Sequence, residues 1–455
     1  MPTTATCASV SAVTYASDSC ESAAGAAASA RRNCLRSTVA YTLELVSAVP
    51  LRKNRDFALF QGGQLLSNFG TQSTQIAFPL LVLALTHSPA KAGVVAFARS
   101  LPLWIFAFPA GLAGDHFSRK RLMIGSDVLR AATMTALGVT VVLHHAAFWE
   151  IPVAAFVEGT GAAIFSGATT GAMRAVVPTE QLPAAQNVLT ARFALVRLGG
   201  PPLGGVLFGI TRSLPFLADA ASYVFSTASL AAMRTPLEEE REPETAPIHE
   251  RLLEGMRFLW SSPFLRTVAL LFSLTQIIFP GVQLALVVIA KRQGLSSAEI
   301  GGLVAAAGGF LLVGTAIAPF LRKALPTRFL IVLEMWTWAG CAIFLAFPNV
   351  YVLTASLVPT MLAIPTTDSV VWPYQIALTP DRLMGRTTAA VTTITNGMGT
   401  LAPLLAGFLL ANVSAQATIA VFAALGLTLA LWGTLSPAIR AAPSLDEIAA
   451  FPRTR

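Results

Sequence analysis

Charged residues are scarce in this chain. Asp, Glu, Lys and Arg make up 12% of its 455 residues, while hydrophobic residues make up 54%. Ordinary soluble domains carry about 25% charged residues. Because a water-exposed surface cannot be built from so few charges, the composition excludes a typical soluble protein. It indicates that lipid is the solvent for most of the chain.

Cysteine and histidine are also rare, with 4 and 5 copies. The cysteine spacing matches no zinc pattern, so we expect no disulfide framework, no metal site and no cofactor. The sequence contains no nucleophile–base arrangement, which argues against an enzyme. The net charge of +8 comes from short basic clusters between apolar runs. Since they form no basic face with interleaved aromatic residues, we expect no nucleic-acid binding.

Apolar stretches of about 20 residues, the length a helix needs to cross a bilayer, recur from residue 57 onward. They predict an all-α membrane protein with twelve transmembrane helices. The predicted spans are 57–86, 91–113, 122–143, 150–175, 185–210, 213–233, 264–290, 299–321, 328–347, 350–376, 385–411 and 415–436.

Loop charge indicates the orientation of these spans. With the N-terminus in the cytoplasm, most loop Arg and Lys residues fall on the inner side, as basic loops prefer. An even number of crossings then returns the C-terminus to the cytoplasm, with residues 437–455 as a tail. Residues 1–50 are rich in Ala, Ser and Thr. We expect them to be a disordered tail or an over-extended start of translation, and a transit peptide is the alternative.

A polar gap at 234–263 separates two groups of six predicted spans. Within it, apolar residues recur every four positions from Ile248 to Trp260, which predicts an amphipathic interfacial helix. This cytoplasmic linker would join an N-terminal bundle, residues 51–233, to a C-terminal bundle, residues 264–436.

The two bundles carry an internal repeat. The segment Pro178-Thr-Glu-Gln-Leu182 of the first bundle has a counterpart in Thr379-Pro-Asp-Arg-Leu383 of the second. A proline follows each of these leucines at the same distance. Parallel repeats of this kind are typical of one transporter architecture.

The loop between the second and third spans contains the segment 111–121, Gly-Leu-Ala-Gly-Asp-His-Phe-Ser-Arg-Lys-Arg. It resembles the loop motif of the major facilitator superfamily, Gly-x-x-x-Asp-Arg-x-Gly-Arg-Arg/Lys, and departs from it at His116 and Ser118. The resemblance implies an inner gate, in which the acid and the bases pair with helix ends and opposite charges. A plain positive-inside loop is the alternative. The predicted gate and gate-support residues are Gly111, Asp115, Arg119, Lys120, Arg121, Asp127 and Arg130.

The fifth span contains Gly-Pro-Pro-Leu-Gly-Gly at 200–205. It resembles the Gly-Pro-x-x-Gly-Gly motif of the superfamily's drug and proton antiporters. Glycine permits close helix approach and proline kinks the helix, while ordinary small-residue packing is the alternative. The motif residues are Gly200, Pro201, Gly204 and Gly205.

The fourth span contains Glu158, in a segment that resembles the end of another antiporter motif. That motif has an arginine three residues earlier, where this chain has Ala155. The basic residue that the resemblance implies for proton coupling is therefore missing, or it is replaced by Arg99, Arg192 or Arg197. In the implied fold this span faces the central cavity, where a carboxylate can load a proton on one side and release it on the other. The predicted proton-coupling residues are Glu158, Arg99, Arg197, Asp368 and Glu334.

Polar residues recur along one face of the first span at intervals of three and four. Because polar groups facing lipid would stay unsatisfied, this face is expected to line the cavity or to hydrogen-bond to other helices. The seventh and eleventh spans offer similar groups. The predicted cavity residues are Gln61, Gln64, Asn68, Gln72, Gln75, Gln276 and Asn396.

Further segments, among them Glu254-Gly-Met-Arg257 and Asp219-Ala-Ala-Ser222, resemble the enterobactin-exporter branch and related macrolide and multidrug exporters of bacteria. The resemblance covers residues 55–436. It implies a monomeric, proton-coupled exporter of small siderophore- or drug-like molecules in the bacterial inner membrane, which works by alternating access. An importer or facilitator of a small metabolite with the same fold is the alternative. A non-transporting membrane sensor fits less well.

Overall fold

The computed structural model describes residues 51–106, 109, 117–237 and 248–441. Every regular element in these ranges is helical, which confirms the predicted all-α class. The predicted tail at 1–50 lies outside the described residues, as do residues 442–455 and parts of the gate loop and of the polar gap.

Six long helices overlap the first six predicted spans, and the second of them ends at Ile105, before the predicted end at 113. A short 3-10 helix, Thr179–Gln181, precedes the fifth of them, and another covers Leu51–Lys53. The six are α1 (Arg55–Thr86), α2 (Pro89–Ile105), α3 (Arg119–Val142), α4 (Glu150–Val176), α5 (Leu182–Ile210) and α6 (Leu214–Ala232).

The remaining helices follow the other predicted segments, with one interruption. The span predicted at 328–347 is broken by a 3-10 turn, Gly340–Ala342, whose first residue has low helix propensity. The helices are α7 (Ile248–Ser261), α8 (Pro263–Arg292), α9 (Ser297–Ala324), α10 (Thr327–Ala339), α11 (Ile343–Ala346), α12 (Val350–Leu378), α13 (Asp381–Asn412), α14 (Ala415–Leu435) and α15 (Pro437–Arg440).

Serine caps mark the start of several helices. The hydroxyls of Ser88, Ser262 and Ser414 each accept a hydrogen bond from the backbone N–H three residues later. Ser296 forms a capping box with Glu299. These bonds satisfy N–H groups that have no partner within the helix. The local sequence therefore fixes where these helices begin.

Nine helical segments among the described residues are long and apolar enough to cross a bilayer. They comprise α3, α4, α5, α8, α9, α10 together with α11, α12, α13 and α14. The spans predicted on α1, α2 and α6 complete the expected set. The count of twelve crossings and the repeat between the two bundles stay predictions.

The helices before α7 join those after it mainly where α5 packs against α9 and α2 against α13, and α1 also contacts α8. Before α7, α1 packs against α5 and α6, and α3 packs against α4 and α6. After it, α8 packs against α13 and α14. The contact between the two sets therefore runs mainly along the pairs α5 with α9 and α2 with α13, and the contact of α1 with α8 adds to it.

The linker helix α7 packs against α8 and α13. Leu259 is buried in this contact, and Glu254 pairs with Arg386 of α13. Trp260 stays 45% exposed. The helix is thus tied to the second set of helices while part of its apolar stripe remains free.

Candidate functional site

Three helices bring ionisable side chains together around Glu158 of α4, which is 1% exposed. Arg99 Nε of α2 lies 2.8 Å from its Oε2. Arg130 Nη2 of α3 lies 2.9 Å from its Oε1. Charges this deep in the interior are tolerated when they are paired and hydrogen-bonded. The two arginines therefore compensate one carboxylate and link α2, α3 and α4.

Tyr223 of α6 and Thr71 of α1 complete the surroundings of Glu158. The tyrosine hydroxyl lies 3.2 Å from Glu158 Oε1 and 2.8 Å from Thr71 Oγ1. The Arg130 guanidinium lies 4.0 Å from the centre of the Tyr223 ring, which adds a cation–π contact. Five helices thus meet at a single carboxylate.

A second carboxylate, Asp219, lies one turn before Tyr223 and is fully buried. Thr74 Oγ1 donates to its Oδ2 at 3.0 Å, and Ser222 Oγ donates to its Oδ1 at 3.3 Å. Among the described residues, no Arg, Lys or His nitrogen lies within 4.0 Å of it. Asp219 is therefore a carboxylate held by hydroxyl groups without a cationic partner.

Asp127 contributes a third carboxylate, with Oδ1 at 3.5 Å from Arg130 Nη1. Asp127 and Arg130 are both buried, and their predicted role as gate support stays a prediction. If all these side chains are ionised, three carboxylates face two guanidinium groups, so one proton makes the group neutral. Unpaired charge at this depth costs about 2.5–3.5 kcal/mol. We call this group the charge cluster: Arg99, Asp127, Arg130, Glu158 and Asp219.

Two of the predicted gate residues, Gly111 and Asp115, lie outside the described residues. Arg119 Nη1 donates to a backbone carbonyl beyond α6 at 3.2 Å. Lys120 Nζ donates to another at the end of α6 at 2.7 Å. Basic side chains complement the negative end of a helix dipole, so these two tie the start of α3 to the end of α6. Arg121 is exposed.

A cavity of about 240 Å³ lies between the two sets of helices. One part of its wall is polar and includes a single charged side chain, and the other part is aromatic and aliphatic. A pocket with a few polar groups on an apolar wall suits a small amphipathic molecule. The polar part is formed by Gln72, Gln75, Arg197 and Gln283, and the apolar part includes Pro201, Phe279, Trp338 and Met361.

The predicted polar face of α1 serves two purposes. Gln72 and Gln75 line the cavity. Gln61 and Gln64 instead form hydrogen bonds of 2.8 and 3.3 Å to α5 and α6. Both predicted roles, cavity lining and hydrogen bonding between helices, are thus present on one face. Asn68, Gln276 and Asn396 are not among the residues that line this cavity.

The glycine motif of α5 lies where this helix meets α1 and α9. A Cβ on Gly204 would lie 2.7 Å from Ser73 Cα, and one on Gly205 would lie 3.0 Å from the Ser297 carbonyl carbon. Gly200 faces the side chain of Gln72 in the same way. The motif therefore allows α5 to approach both a helix of its own set and a helix of the other set.

Replacing Gly205 with Leu is expected to separate α5 from α9 and to reduce substrate flux in reconstituted vesicles at least about tenfold, since overpacking a close contact costs about 1–3 kcal/mol. Gly209→Leu is the matched control. It adds the same side chain one turn later on α5, where no atom lies within 4 Å. Equal flux in both variants at equal abundance would contradict a role for this contact.

The other proton-coupling candidates lie outside the charge cluster. Glu334 of α10 is buried and accepts a hydrogen bond from Trp338 Nε1 at 3.3 Å. Asp368 of α12 is exposed. Arg197 lines the cavity. Of the five candidates, the structure brings only Glu158 and Arg99 into direct contact.

Three bacterial efflux proteins are similar in sequence. The multidrug efflux pump Tap of Mycobacterium bovis is 25% identical over 397 residues, covering 84% of this chain and 93% of the pump. Tap of Mycolicibacterium fortuitum is 30% identical over 217 residues, covering 45% of this chain and about half, 52%, of that pump. Macrolide efflux protein A of Streptococcus pyogenes is 23% identical over 205 residues, covering 45% of this chain and 51% of that protein.

Solved transporter structures share the fold. A bacterial homologue of the human lysosomal transporter Spinster gives a TM-score of 0.68 at 13% identity, covering 87% of this chain and 98% of that one. A bacterial homologue of the iron transporter ferroportin gives a TM-score of 0.65 at 15% identity, covering 85% of this chain and 98% of that one. The profile of the transmembrane secretion effector family matches residues 46–453. The chain belongs to this family of major facilitator transporters, and it is a multi-pass membrane protein that carries small molecules rather than an enzyme.

Proposed function

We propose that this chain is a proton-driven exporter of small amphipathic molecules, siderophore- or drug-like, that works by alternating access in the bacterial cell membrane. The observation that carries the proposal is the charge cluster, which has one more carboxylate than guanidinium groups. The charge cluster is neutral only when it holds one added proton. Because a net charge is costly in the interior, gain or loss of this proton changes which arrangement of the surrounding helices is stable. The efflux pumps among the relatives support export as the direction.

Asp219 is the proposed site of this proton in the present arrangement. Glu158 already accepts hydrogen bonds from two guanidinium groups, whereas Asp219 has hydroxyl partners only. Glu158 holds the two cations in place and is the second member of the coupling pair. Loss of the proton leaves an uncompensated negative charge between α1 and α6, which favours a rearrangement of these helices.

Alternating access is proposed to move the helices before α7 as one body against those after it. The two sets meet along α5 with α9 and along α2 with α13. In the second pair, a Cβ on Gly93 would lie 3.0 Å from Gly407 Cα. Close, smooth contacts of this kind can separate and reform without breaking ion pairs, and the cavity lies beside them.

The test uses inverted membrane vesicles with an acidic interior and radiolabelled 2-naphthalenesulfonate, whose charge does not change with pH, so that the gradient alone does not redistribute it. An exporter that exchanges substrate for protons is expected to accumulate the sulfonate inside, and dissipating the gradient is expected to release it, whereas vesicles that lack the protein are expected to show neither effect. Accumulation only in right-side-out vesicles with an acidic exterior would instead identify an importer. No gradient-dependent flux in either preparation would contradict proton-driven transport.

Both termini are proposed to be cytoplasmic, in a protein that works as a monomer. Alkaline phosphatase, which is active only outside the cytoplasm, is to be fused after residue 436. We expect low activity there and high activity for a fusion placed after residue 293, in a loop predicted to be external. High activity after residue 436 would overturn the topology.

A further inference from the structure

The positive charge of Arg197 is the unusual feature of the cavity. Its side chain is exposed to this space between the two sets of helices. Among the described residues that line the cavity, no other is charged. A guanidinium at mid-helix depth costs about 2.5–3.5 kcal/mol unless it is compensated, so its presence calls for a partner.

No such partner is present among the described residues. Within the part of the chain that the structure describes, no carboxylate oxygen lies within 4.0 Å of the Arg197 guanidinium, whereas Arg99 and Arg130 both pair with Glu158. It also has no hydrogen bond to another described side chain or carbonyl group. The three glutamines of the wall are neutral. The described part of the cavity wall therefore carries one uncompensated positive charge.

The position of Arg197 is nevertheless well defined. It lies where α5 meets α9, and a Cβ on Gly308 of α9 would lie 3.3 Å from its Cγ. The absence of a side chain at Gly308 leaves room for the stem of the arginine at the contact between the two sets of helices. A molecule that pairs with Arg197 therefore touches the surface along which the two sets are proposed to move.

We propose that the cavity binds an amphipathic organic anion, whose acidic group pairs with Arg197. A carboxylate or sulfonate accepts two parallel hydrogen bonds from a guanidinium, and the amides of Gln72, Gln75 and Gln283 can donate to its remaining lone pairs. The aromatic or aliphatic body of the molecule lies against Phe279 and Trp338. The inference rests on the proposed transport function and narrows its substrate class.

The experiment measures equilibrium binding to the purified full-length protein in nanodiscs, without a pH gradient. Three probes share one ring system and differ in charge: 2-naphthoate, 2-naphthamide and 2-naphthylmethylammonium. We expect naphthoate to bind at least about tenfold more tightly than naphthamide, because hydrogen bonds to charged groups are stronger than those to neutral ones. Equal affinities, tighter binding of the ammonium probe, or no naphthoate binding up to millimolar concentrations would each overturn the proposal.

The variants distinguish an effect of the Arg197 charge on binding from an effect on folding. Arg197→Gln is expected to remove the preference for naphthoate and to leave naphthamide binding unchanged, and Arg197→Lys is expected to keep part of the preference. Arg212→Gln, which removes the same charge at an exposed position, is the control and is expected to bind like the parent. A retained preference in Arg197→Gln would contradict the assignment. Since no transport is measured, the result is independent of whether export is proton-driven.

Discussion

Replacing Asp219 with Asn is expected to abolish the response of transport to a pH gradient. One pH unit supplies about 1.4 kcal/mol per proton, enough for about tenfold accumulation. The parent is expected to reach this level in acid-loaded inverted vesicles, and Asp219→Asn is expected to equilibrate the substrate without accumulation. The physical reason is that an amide retains hydrogen bonds with Thr74 and Ser222 but cannot exchange a proton.

Asp127→Asn and Asp368→Asn are the comparison variants, since each removes a carboxylate from a different position. Asp127 pairs with Arg130, and Asp368 is exposed. Accumulation that survives in Asp219→Asn would show that the coupling proton is elsewhere. Loss of accumulation in Asp127→Asn alone would assign the coupling proton to Asp127, within the charge cluster. Loss in Asp368→Asn alone would assign it to Asp368, in the helices after α7.

Replacing Glu158 with Gln is expected to lower the free energy of unfolding by about 3–5 kcal/mol, because removing one partner leaves buried charges uncompensated. Arg99 loses its carboxylate partner in this variant, and Arg130 keeps only Asp127, at 3.5 Å. Gradient-driven accumulation is expected to disappear while substrate binding is retained in the folded fraction. Thermal unfolding of the purified protein measures the first effect, and vesicle flux with and without the gradient measures the second.

The control is the double variant Arg99→Gln with Glu158→Gln. Removing both members of a pair is less costly than removing one, so the double variant is expected to unfold at a higher temperature than Glu158→Gln. A Glu158→Gln protein with the unfolding temperature and gradient response of the parent would show that this carboxylate neither holds the cluster nor takes part in coupling.

Much of the fold is predictable because lipid imposes a simple rule on the sequence. A helix that crosses a bilayer needs about 20 apolar residues, and the predicted spans agree with the observed helices within a few residues at most ends. The break in the span at 328–347 was not predicted. The 3-10 turn at Gly340–Ala342 lies in a continuously apolar run, and hydropathy carries no information about such a local change of helix geometry.

The charge cluster was only partly predictable. Charges within apolar spans are expensive and therefore indicate function, which singled out Glu158 and Arg99. Tyr223 and Thr71, which hydrogen-bond around Glu158, were missed because polar residues are common in membrane helices. The i, i+4 spacing of Asp219 and Tyr223 on one face of α6 was a signal that could have pointed to them.

The sequence by itself determined that lipid surrounds most of the chain, that the fold is all-helical and which charged residues lie within the predicted spans. Each of these depends on composition and local spacing. The tertiary structure decided which of these groups meet. Arg130 lies beside Glu158 although 28 residues separate them in the chain, and Arg197 lies in the cavity with no counter-ion from the residues that the structure describes. Whether a buried charge is compensated depends on distances of a few ångströms between different helices, because electrostatic and hydrogen-bond energies fall steeply over that range.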